Sequence, residues 1–338
     1  MTPVLPGGNP EVSVVMSCYN SGRWLHEAID SILAQTFSAF ELILVDDGST
    51  DETWKIIQSY CDRDERIVAI SKKNTGLADA LNIGIAKARG LWVARLDADD
   101  LCESARLECQ MNFVHDHPEV VLLGTGFVEI DEQGRALRRH HYPSRHRRLV
   151  GHLERVQRFF PHSSAMFRRD VAQEAGCYNP FFRKTQDWDL WLRLSERGEM
   201  ACLEDCLVRV RRHSQQITSS NAGTSQYVYG SVASACHYLR MQGCSDPSAT
   251  DDETEWLKFI TWVEKRLGED GVCERHSVWA AARSEYLMSD NRAIGLFGVG
   301  ARLLRSGHAR ALLWEKYFGT MLPRRLAREW KARPCAAS

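Results

Sequence analysis

Short apolar runs alternate with amphipathic stretches along the first part of the chain. Four of these runs are bounded by polar residues and predict strands: VSVVM (12–16), ELILV (41–45), RIVAI (66–70) and LWVARL (91–96). Between them, apolar residues recur with helical spacing, as at Trp24, Leu25, Ala28, Ile29 and Ile32. Strands that alternate with helices predict parallel β-α-β units in a doubly wound sheet, where ligands bind at the carboxyl ends of the strands.

After residue 120 the alternation loosens. VVLLG and GFVEI predict two added strands before the turn DEQGR (131–135), and the stretch RRHHYPSRHRR (138–148) is strongly basic. DWDLWLRLSERG (187–198) predicts an amphipathic helix. Residues 222–332 are helix-like throughout, so we predict a first domain at 1–220 and an all-helical C-terminal subdomain at 221–338.

The composition is that of an ordinary globular chain, with 338 residues, 44% hydrophobic and 26% charged, and a net charge of −1. This net charge gives no overall attraction to nucleic acid, and we expect no nucleic-acid partner. Eleven cysteines occur without a CxxC pair, which favours reduced thiols in a cytoplasmic chain; Cys202 and Cys206 lack the companions of a zinc site. We see no signal-peptide pattern, and no apolar run is long enough to span a bilayer.

Two acidic segments, DDGST (46–50) and DADD (97–100), fall at the carboxyl ends of predicted strands. The DADD carboxylates repel one another, and each raises the pKa of its neighbours. They suit a solvated helix N-terminus, or a divalent cation whose coordination is completed by ligand phosphates and whose charge relieves the repulsion. An EF-hand loop is excluded because Leu101 and Cys102 stand where it needs a ligand and a glycine.

The stretch VSVVMSCYNSGRWLHEAIDSILAQTFSAFELILVDDGSTDET resembles the opening of glycosyltransferase family 2, as do NTGLADALNIGIAKARGLWVARLDADD and RKTQDWDLWLRL. The likeness covers roughly residues 11–218, with the motifs in order. It implies an α/β fold of the glycosyltransferase A type: a Rossmann-like, mostly parallel sheet with helices on both faces, followed here by the all-helical C-terminal region. It also implies a nucleotide-diphosphate-sugar donor and inversion at the anomeric carbon.

The resemblance assigns the nucleoside part of the donor to Ser17, Tyr19, Asn20 and Asp47, which follow the first two strands. An aromatic face and a carboxylate suit a base ring and ribose hydroxyls. Tyr19 and Asn20 are also compatible with ordinary turn chemistry.

In the DxD motif, the resemblance makes Asp99 the metal ligand and Asp97 a contact to the sugar or ribose. Mn²⁺ or Mg²⁺ would bridge the diphosphate oxygens. His213 of RRHSQQIT stands where some relatives place a further metal or phosphate contact; the alternative is an ordinary surface histidine in a basic stretch.

By the same resemblance, Asp187 of QDWDLW is the general base that deprotonates the acceptor hydroxyl. The family more often has Glu before this Asp, where Gln186 stands here. Asp189 is expected to point elsewhere, because residues two apart do not share a helix face. Three apolar neighbours are expected to pack in the core: Trp188, Trp191 and Leu192.

The function we expect is an inverting, metal-dependent transferase that moves a sugar to a glycan or lipid-linked acceptor, in bacterial cell-surface polysaccharide or glycolipid biosynthesis. The alternatives are a non-catalytic nucleotide-sugar-binding module and a haloacid-type phosphatase. The Q-x-x-R-W motif of processive membrane synthases is absent. After residue 301 the chain contains nine Lys or Arg but only two Glu, interspersed with apolar residues. This composition fits either peripheral contact with the inner face of the membrane or packing on the core.

Overall fold

The structure is a computed structural model, and it describes residues 9–214, 222–250, 252–269 and 321–333. The strands are β1 Val12–Cys18, β2 Phe40–Asp46, β3 Ile67–Ser71, β4 Trp92–Arg95, β5 Leu101–Cys102, β6 Val120–Ile130, β7 Ala136–His140, β8 Met166–Arg168 and β9 Glu199–Arg211. The helices are α1 Leu25–Leu33, α2 Thr53–Cys61, α3 Leu77–Lys87, α4 Arg106–Asp116, α5 His146–Glu154, α6 Arg169–Glu174, α7 Gln186–Ser195, α8 Ala222–Met241, α9 Glu253–Glu269 and α10 Met321–Lys331. A 3-10 turn covers His162–Ser164.

The first four strands form the parallel array that the alternating pattern predicts, in the order β3-β2-β1-β4. The apolar side chains of β1, β2 and β4 are buried on both sides of the sheet, as in β2, where all seven residues are buried, whereas those of the edge strand β3 are mostly half-buried. The chain moves from β1 outward to β2 and β3 and then returns to the other side of β1 for β4. The carboxyl ends of β1 and β4 therefore flank the switch point where open α/β sheets bind ligands.

The later strands extend the same sheet with mixed directions, since β8 runs antiparallel to β4 and to β6 whereas β9 runs parallel to β6. The two strands expected around residues 120–130 are one continuous strand, and β7 pairs with it after the predicted turn. Gly124 lies inside β6, and the absence of a side chain there leaves room for Phe160, since a Cβ would lie 2.4 Å from the Phe160 ring. The glycine marks a close approach rather than a turn.

The described chain divides into two compact units. The first comprises residues 9–150, 158–180 and 190–213, and the second comprises 151–157, 181–189 and the described residues from 214 onward. In the first unit Trp191 and Leu192 are buried, which confirms the packing expected of them. The second unit is helical, with α8 packed against α9 and α10. The division into a catalytic domain at 1–220 and a helical C-terminal subdomain with a basic tail at 221–338 remains a prediction.

Within the second unit, Trp256 packs against Phe181 and Phe182 at ring-centroid distances of 5.7 and 5.0 Å. None of the helices in the described part of the chain is both long enough and apolar enough to cross a membrane. The cysteines that the structure describes are free thiols. Of the basic tail after residue 301, only residues 321–333 are described, and the rest lies outside the described residues.

Candidate active site

The DADD segment leaves β4 at the switch point and folds into a tight turn, in which the Asp100 amide donates to the Asp97 carbonyl over 3.1 Å. Behind the turn lies the fully buried guanidinium of Arg95, the last residue of β4. It donates to the carboxylate of Asp97 over 2.6 Å and to the carbonyls of Val15 and Leu96. Arg95 thus ties the acidic turn to β1, the strand on the other side of the crevice.

Asp97 remains ionised in this setting. Burial would raise its pKa, but the charge of Arg95 and the hydrogen bond from Ser163 hold the pKa of Asp97 below its ordinary value. The Ser163 hydroxyl lies 3.1 Å from the Asp97 carboxylate. The Asp97 side chain is still 37% exposed, so the anion can meet a ligand hydroxyl.

Asp100 has the opposite character. Burial and the charges of Asp99 and Asp97 raise the pKa of Asp100 well above its ordinary value. Its carboxyl group accepts the backbone amide of Arg211 over 2.9 Å and contacts the hydroxyl of Ser163. The Ser163 hydroxyl contacts the carboxyl groups of both Asp97 and Asp100 but can donate its single proton to only one of them. If Asp100 is protonated, it donates to the Ser163 oxygen while Ser163 donates to Asp97, and both contacts are hydrogen bonds. Asp100 is therefore a structural part of the turn.

Asp99 faces outward from the turn and meets His213, with 2.8 Å between the carboxylate and Nε2. Burial and the charge of Asp97 raise the pKa of Asp99, while the contact with His213 opposes the shift. The His213 side chain is only 6% exposed and lies against the Trp24 ring, with 4.3 Å between ring centroids. The surface-histidine alternative is therefore wrong.

The donors at this point fit a divalent cation. Nε2 of His213 and the partly exposed Asp99 carboxylate face one another over 2.8 Å, so a single cation could be held by both groups in place of this contact. One carboxylate and one imidazole leave positions for phosphate oxygens and water, which is how Mg²⁺ and Mn²⁺ are held beside nucleotides. In the described ranges, no three or more His, Cys, Asp or Glu side chains are grouped so that they could hold a metal by themselves.

The predicted nucleoside contacts lie at the ends of β1 and β2. Tyr19 is 52% exposed, so a ligand can reach its side chain. Asn20 adopts a positive φ of 49° and accepts the Thr50 amide over 2.9 Å, which is the turn role considered as its alternative. Ser17 is half-buried in β1, paired with Val45 of β2. Their contact with a nucleoside remains a prediction.

Asp47 is buried, and its carboxylate is already engaged. It accepts the backbone amides of Thr75 and Gly76 over 3.0 and 2.9 Å and forms an ion pair with Lys72. In this structure Asp47 holds the loop that leads into α3. Its predicted role toward the nucleoside is untested.

Asp187 lies in the first turn of α7, within the second unit. Thr185, two residues before it, has a positive φ of 51°, which is strained for a β-branched residue. Asp189 is fully buried, in keeping with the expectation that it points elsewhere. The role of Asp187 as general base remains a prediction.

Several residues that organise the site were missed from the sequence, and Arg211 and His162 are two of them besides Arg95 and Ser163. Arg211 is buried at the end of β9 and donates to the Asp99 carbonyl over 3.0 Å and to Glu27 over 2.8 Å. Its only sequence signal is a position in the basic run before His213. His162 accepts from Arg95 and lies 2.6 Å from the Tyr178 hydroxyl, and no sequence pattern marked it.

Comparison with known proteins identifies the class. The family model described as Glycosyl transferase family 2 matches residues 13–176. The chain is 34% identical over 215 residues to the amylovoran biosynthesis glycosyltransferase AmsE of Erwinia amylovora, covering 61% of this chain and 77% of that protein. It is 30% identical over 213 residues to the O-antigen biosynthesis glycosyltransferase WbnJ of Escherichia coli, covering 62% and 82%. The chain belongs to glycosyltransferase family 2 and is a glycosyltransferase.

Solved structures agree on the fold. TarS residues 1–349 of S. aureus in complex with UDP-GlcNAc has a TM-score of 0.57 at 16% identity, covering 95% of this chain and 91% of that one. The mannosyltransferase PcManGT of Pyrobaculum calidifontis in complex with GDP-Man and Mn²⁺ has a TM-score of 0.52 at 17% identity, covering 97% and 89%. The predicted glycosyltransferase A-type α/β fold is confirmed.

Proposed function

We propose that the protein is an inverting, metal-dependent glycosyltransferase that moves a sugar from a nucleotide-diphosphate-sugar donor to an acceptor hydroxyl. The observation that carries the proposal is the pair of Asp99 and His213, 2.8 Å apart at the carboxyl end of β4, with Asp97 beside it. Two solved structures of the same fold bind UDP-GlcNAc or GDP-Man, and the second also binds Mn²⁺.

Asp99 and His213 would hold the cation, Mn²⁺ or Mg²⁺. When bound, the cation neutralises charge that develops on the departing nucleoside diphosphate. The ionised Asp97 would accept a hydrogen bond from a sugar or ribose hydroxyl, and Arg95 holds its carboxylate in place. The nucleoside would lie against Ser17, Tyr19, Asn20 and the Asp47 loop.

Asp187 would take the proton of the acceptor hydroxyl. Inversion needs a single displacement, and one carboxylate base is sufficient for it. Asp187 stands at the helix start that matches the base position of the family, although Gln186 replaces the Glu that more often precedes it. A carboxylate in the first turn of a helix is stabilised by the helix dipole.

The relatives' names support a proposal on the acceptor class. One relative is named for amylovoran biosynthesis and another for O-antigen biosynthesis. We therefore infer a role in bacterial cell-surface polysaccharide or glycolipid biosynthesis, at the cytoplasmic side, with a glycan or lipid-linked acceptor. The family assignment replaces the phosphatase alternative.

Asp99→Asn tests the metal site. The amide keeps the shape of the carboxylate but loses its charge, so we expect Mn²⁺-dependent binding of UDP or GDP to weaken at least about 100-fold. Isothermal titration with and without Mn²⁺ measures this, and Asp62→Asn, an exposed surface change of equal charge, is the control. Unchanged Mn²⁺-dependent binding in Asp99→Asn would overturn the metal assignment.

A further inference from the structure

The chain between β6 and the end of α5 is rich in positive charge. From Gln133 to Leu153 it contains six arginines and four histidines and no Asp, Glu or Lys. We define the basic surface by the five arginines that follow Leu137, all of them exposed: Arg138, Arg139, Arg145, Arg147 and Arg148. They belong to β7, to the loop after it and to the first turn of α5, and all lie in the first unit.

These arginines differ from others of the same unit in having no carboxylate partner among the described residues. Arg66 and Arg209, for example, lie 2.7 and 2.6 Å from the carboxylates of Asp64 and Glu103. Across the described chain, no Asp or Glu forms an ion pair within 4.0 Å with any arginine of the basic surface. Acidic residues do lie nearby, since His146 is 3.8 Å from Glu199. The guanidinium charges are thus left for an external anion.

Part of this surface is shaped to receive such an anion. Ser144, Arg145 and Arg148 line a half-open hollow of about 280 Å³. Guanidinium groups bind phosphate through paired N–H donors, and a serine hydroxyl can add another. The ligand chemistry that the hollow fits is a phosphate group.

The arrangement favours phosphate at a lipid surface over one free phosphate. The arginines spread along a strand, a loop and a helix instead of converging on one point. Leu137 is 57% exposed on β7, which pairs with β6, and it lies next to Arg138 in the chain. An exposed apolar side chain among unpaired cations is typical of surfaces that contact anionic bilayers.

The basic surface is also joined to the edge of the candidate active site. The turn before β7 contains Glu132, whose carboxylate pairs with Arg23 over 2.7 Å and whose carbonyl accepts from Arg211 over 3.0 Å. Arg211 in turn donates to the carbonyl of Asp99. A lipid surface bound along β7 would therefore lie beside the donor site.

We propose that the basic surface docks the protein on a bilayer of anionic lipid, with headgroup phosphates in the hollow between Arg145 and Arg148. The docking is independent of the proposed sugar transfer. It also differs from the membrane contact expected of the C-terminal tail, because other residues carry it.

Vesicle binding of the full chain tests the proposal. Sedimentation is measured with vesicles of phosphatidylcholine alone and with vesicles that contain phosphatidylglycerol, at low and high salt. We expect binding to the anionic vesicles only, fading as salt rises. Arg145→Gln/Arg148→Gln should lower the partition coefficient about fivefold for each arginine, since each contributes about 1 kcal/mol near such a surface.

The control is Arg66→Gln/Arg168→Gln, which removes the same charge from arginines of the first unit that pair with Asp64 and Asp170. It should bind vesicles like the wild type, and both variants should keep the wild-type melting temperature and nucleotide affinity. Equal vesicle binding by the two double variants would overturn the proposal, and so would equal binding of wild type to neutral and anionic vesicles. If wild type binds inorganic diphosphate and Arg145→Gln/Arg148→Gln does not, while both proteins bind anionic vesicles equally, the ligand of the hollow is a soluble phosphate compound and not the lipid.

Discussion

Asp99 and Asp100 are adjacent carboxyl groups whose surroundings give them different tasks. Asp99 is partly exposed and meets His213, whereas Asp100 is buried between Ser163 and the amide of Arg211. The same neutral substitution should therefore have a large effect at Asp99 and little effect at Asp100. Of these two carboxyl groups, only that of Asp99 is placed where its charge can act on a ligand.

Asp100→Asn is expected to be nearly silent. Burial and the neighbouring charges raise the pKa of Asp100 and so favour its neutral form, and an amide can accept from Arg211 and donate to Ser163 in the same way. We expect Mn²⁺-dependent nucleotide affinity within about threefold of wild type and a stability change below about 1 kcal/mol. Titration calorimetry and urea unfolding measure both. A loss as large as that of Asp99→Asn would show that Asp100 is ionised and serves as a ligand.

His162 gives the protein a pH-dependent stability. Burial and the charge of Arg95 lower the pKa of His162 to about 3, whereas the unfolded chain keeps its ordinary value of 6.5. Below pH 6.5 the unfolded state binds a proton that the folded state does not, so stability falls as the pH falls through this window, by up to about 1.4 kcal/mol per pH unit.

The variant His162→Gln has no imidazole to protonate in the unfolded state, so its stability should depend less steeply on pH. Urea midpoints between about pH 6.5 and pH 5 measure it, because most carboxylates stay ionised there. Parallel pH profiles for wild type and variant would contradict the assignment of a neutral His162.

At the scale of elements, two glycines inside regular structure, Gly124 in β6 and Gly268 in α9, should respond differently to an added side chain. A Cβ at this position would lie 2.4 Å from the Phe160 ring, so Gly124→Ala should destabilise the fold by about 1–3 kcal/mol. A Cβ at Gly268, inside α9, would meet no described residue within 4 Å beyond its own helix, so Gly268→Ala should stabilise that helix by about 0.5–1 kcal/mol. Urea unfolding of the two variants compares them. Equal effects would mean that Phe160 moves aside freely.

The elements that could be predicted are those whose pattern is local. The four parallel strands and the helix at 187–198 follow from apolar runs and periodicity, and their observed bounds differ by only a few residues. The three-residue strand β8 and the turn that carries Ser163 have too little sequence for any period to appear. Neither could be found without the tertiary fold.

The site divides along the same line. Asp97 and Asp99 were found because they directly follow a strand in one short motif. The pairing of Asp99 with His213 joins residues 114 positions apart, and it came only from a family resemblance. Arg211 reaches the turn from β9 over a similar separation, and its burial could not be read from a basic run that looks solvated. Long-range partners of charged groups are the part that local patterns leave out.

At the scale of the whole molecule, the predicted donor residues and the predicted base belong to different units. Asp97, Asp99 and His213 lie in the first unit, and Asp187 lies in the second. If that division reflects separate tasks, donor binding and proton transfer can be impaired independently. Asp187→Asn is the substitution that asks this question.

Asp187→Asn should abolish transfer while donor binding stays nearly intact. The amide keeps the shape of the side chain but cannot take the acceptor proton, and a general base contributes about 10²–10⁴-fold to rate. If Asp187 only supports the start of α7, the variant should turn over normally, because Asn is as good as Asp at helix starts. Comparison of kcat, donor Kd and melting temperature separates the two roles. An unchanged kcat would remove Asp187 from the mechanism, whereas lost donor binding would make it a donor-site residue despite its place in the second unit.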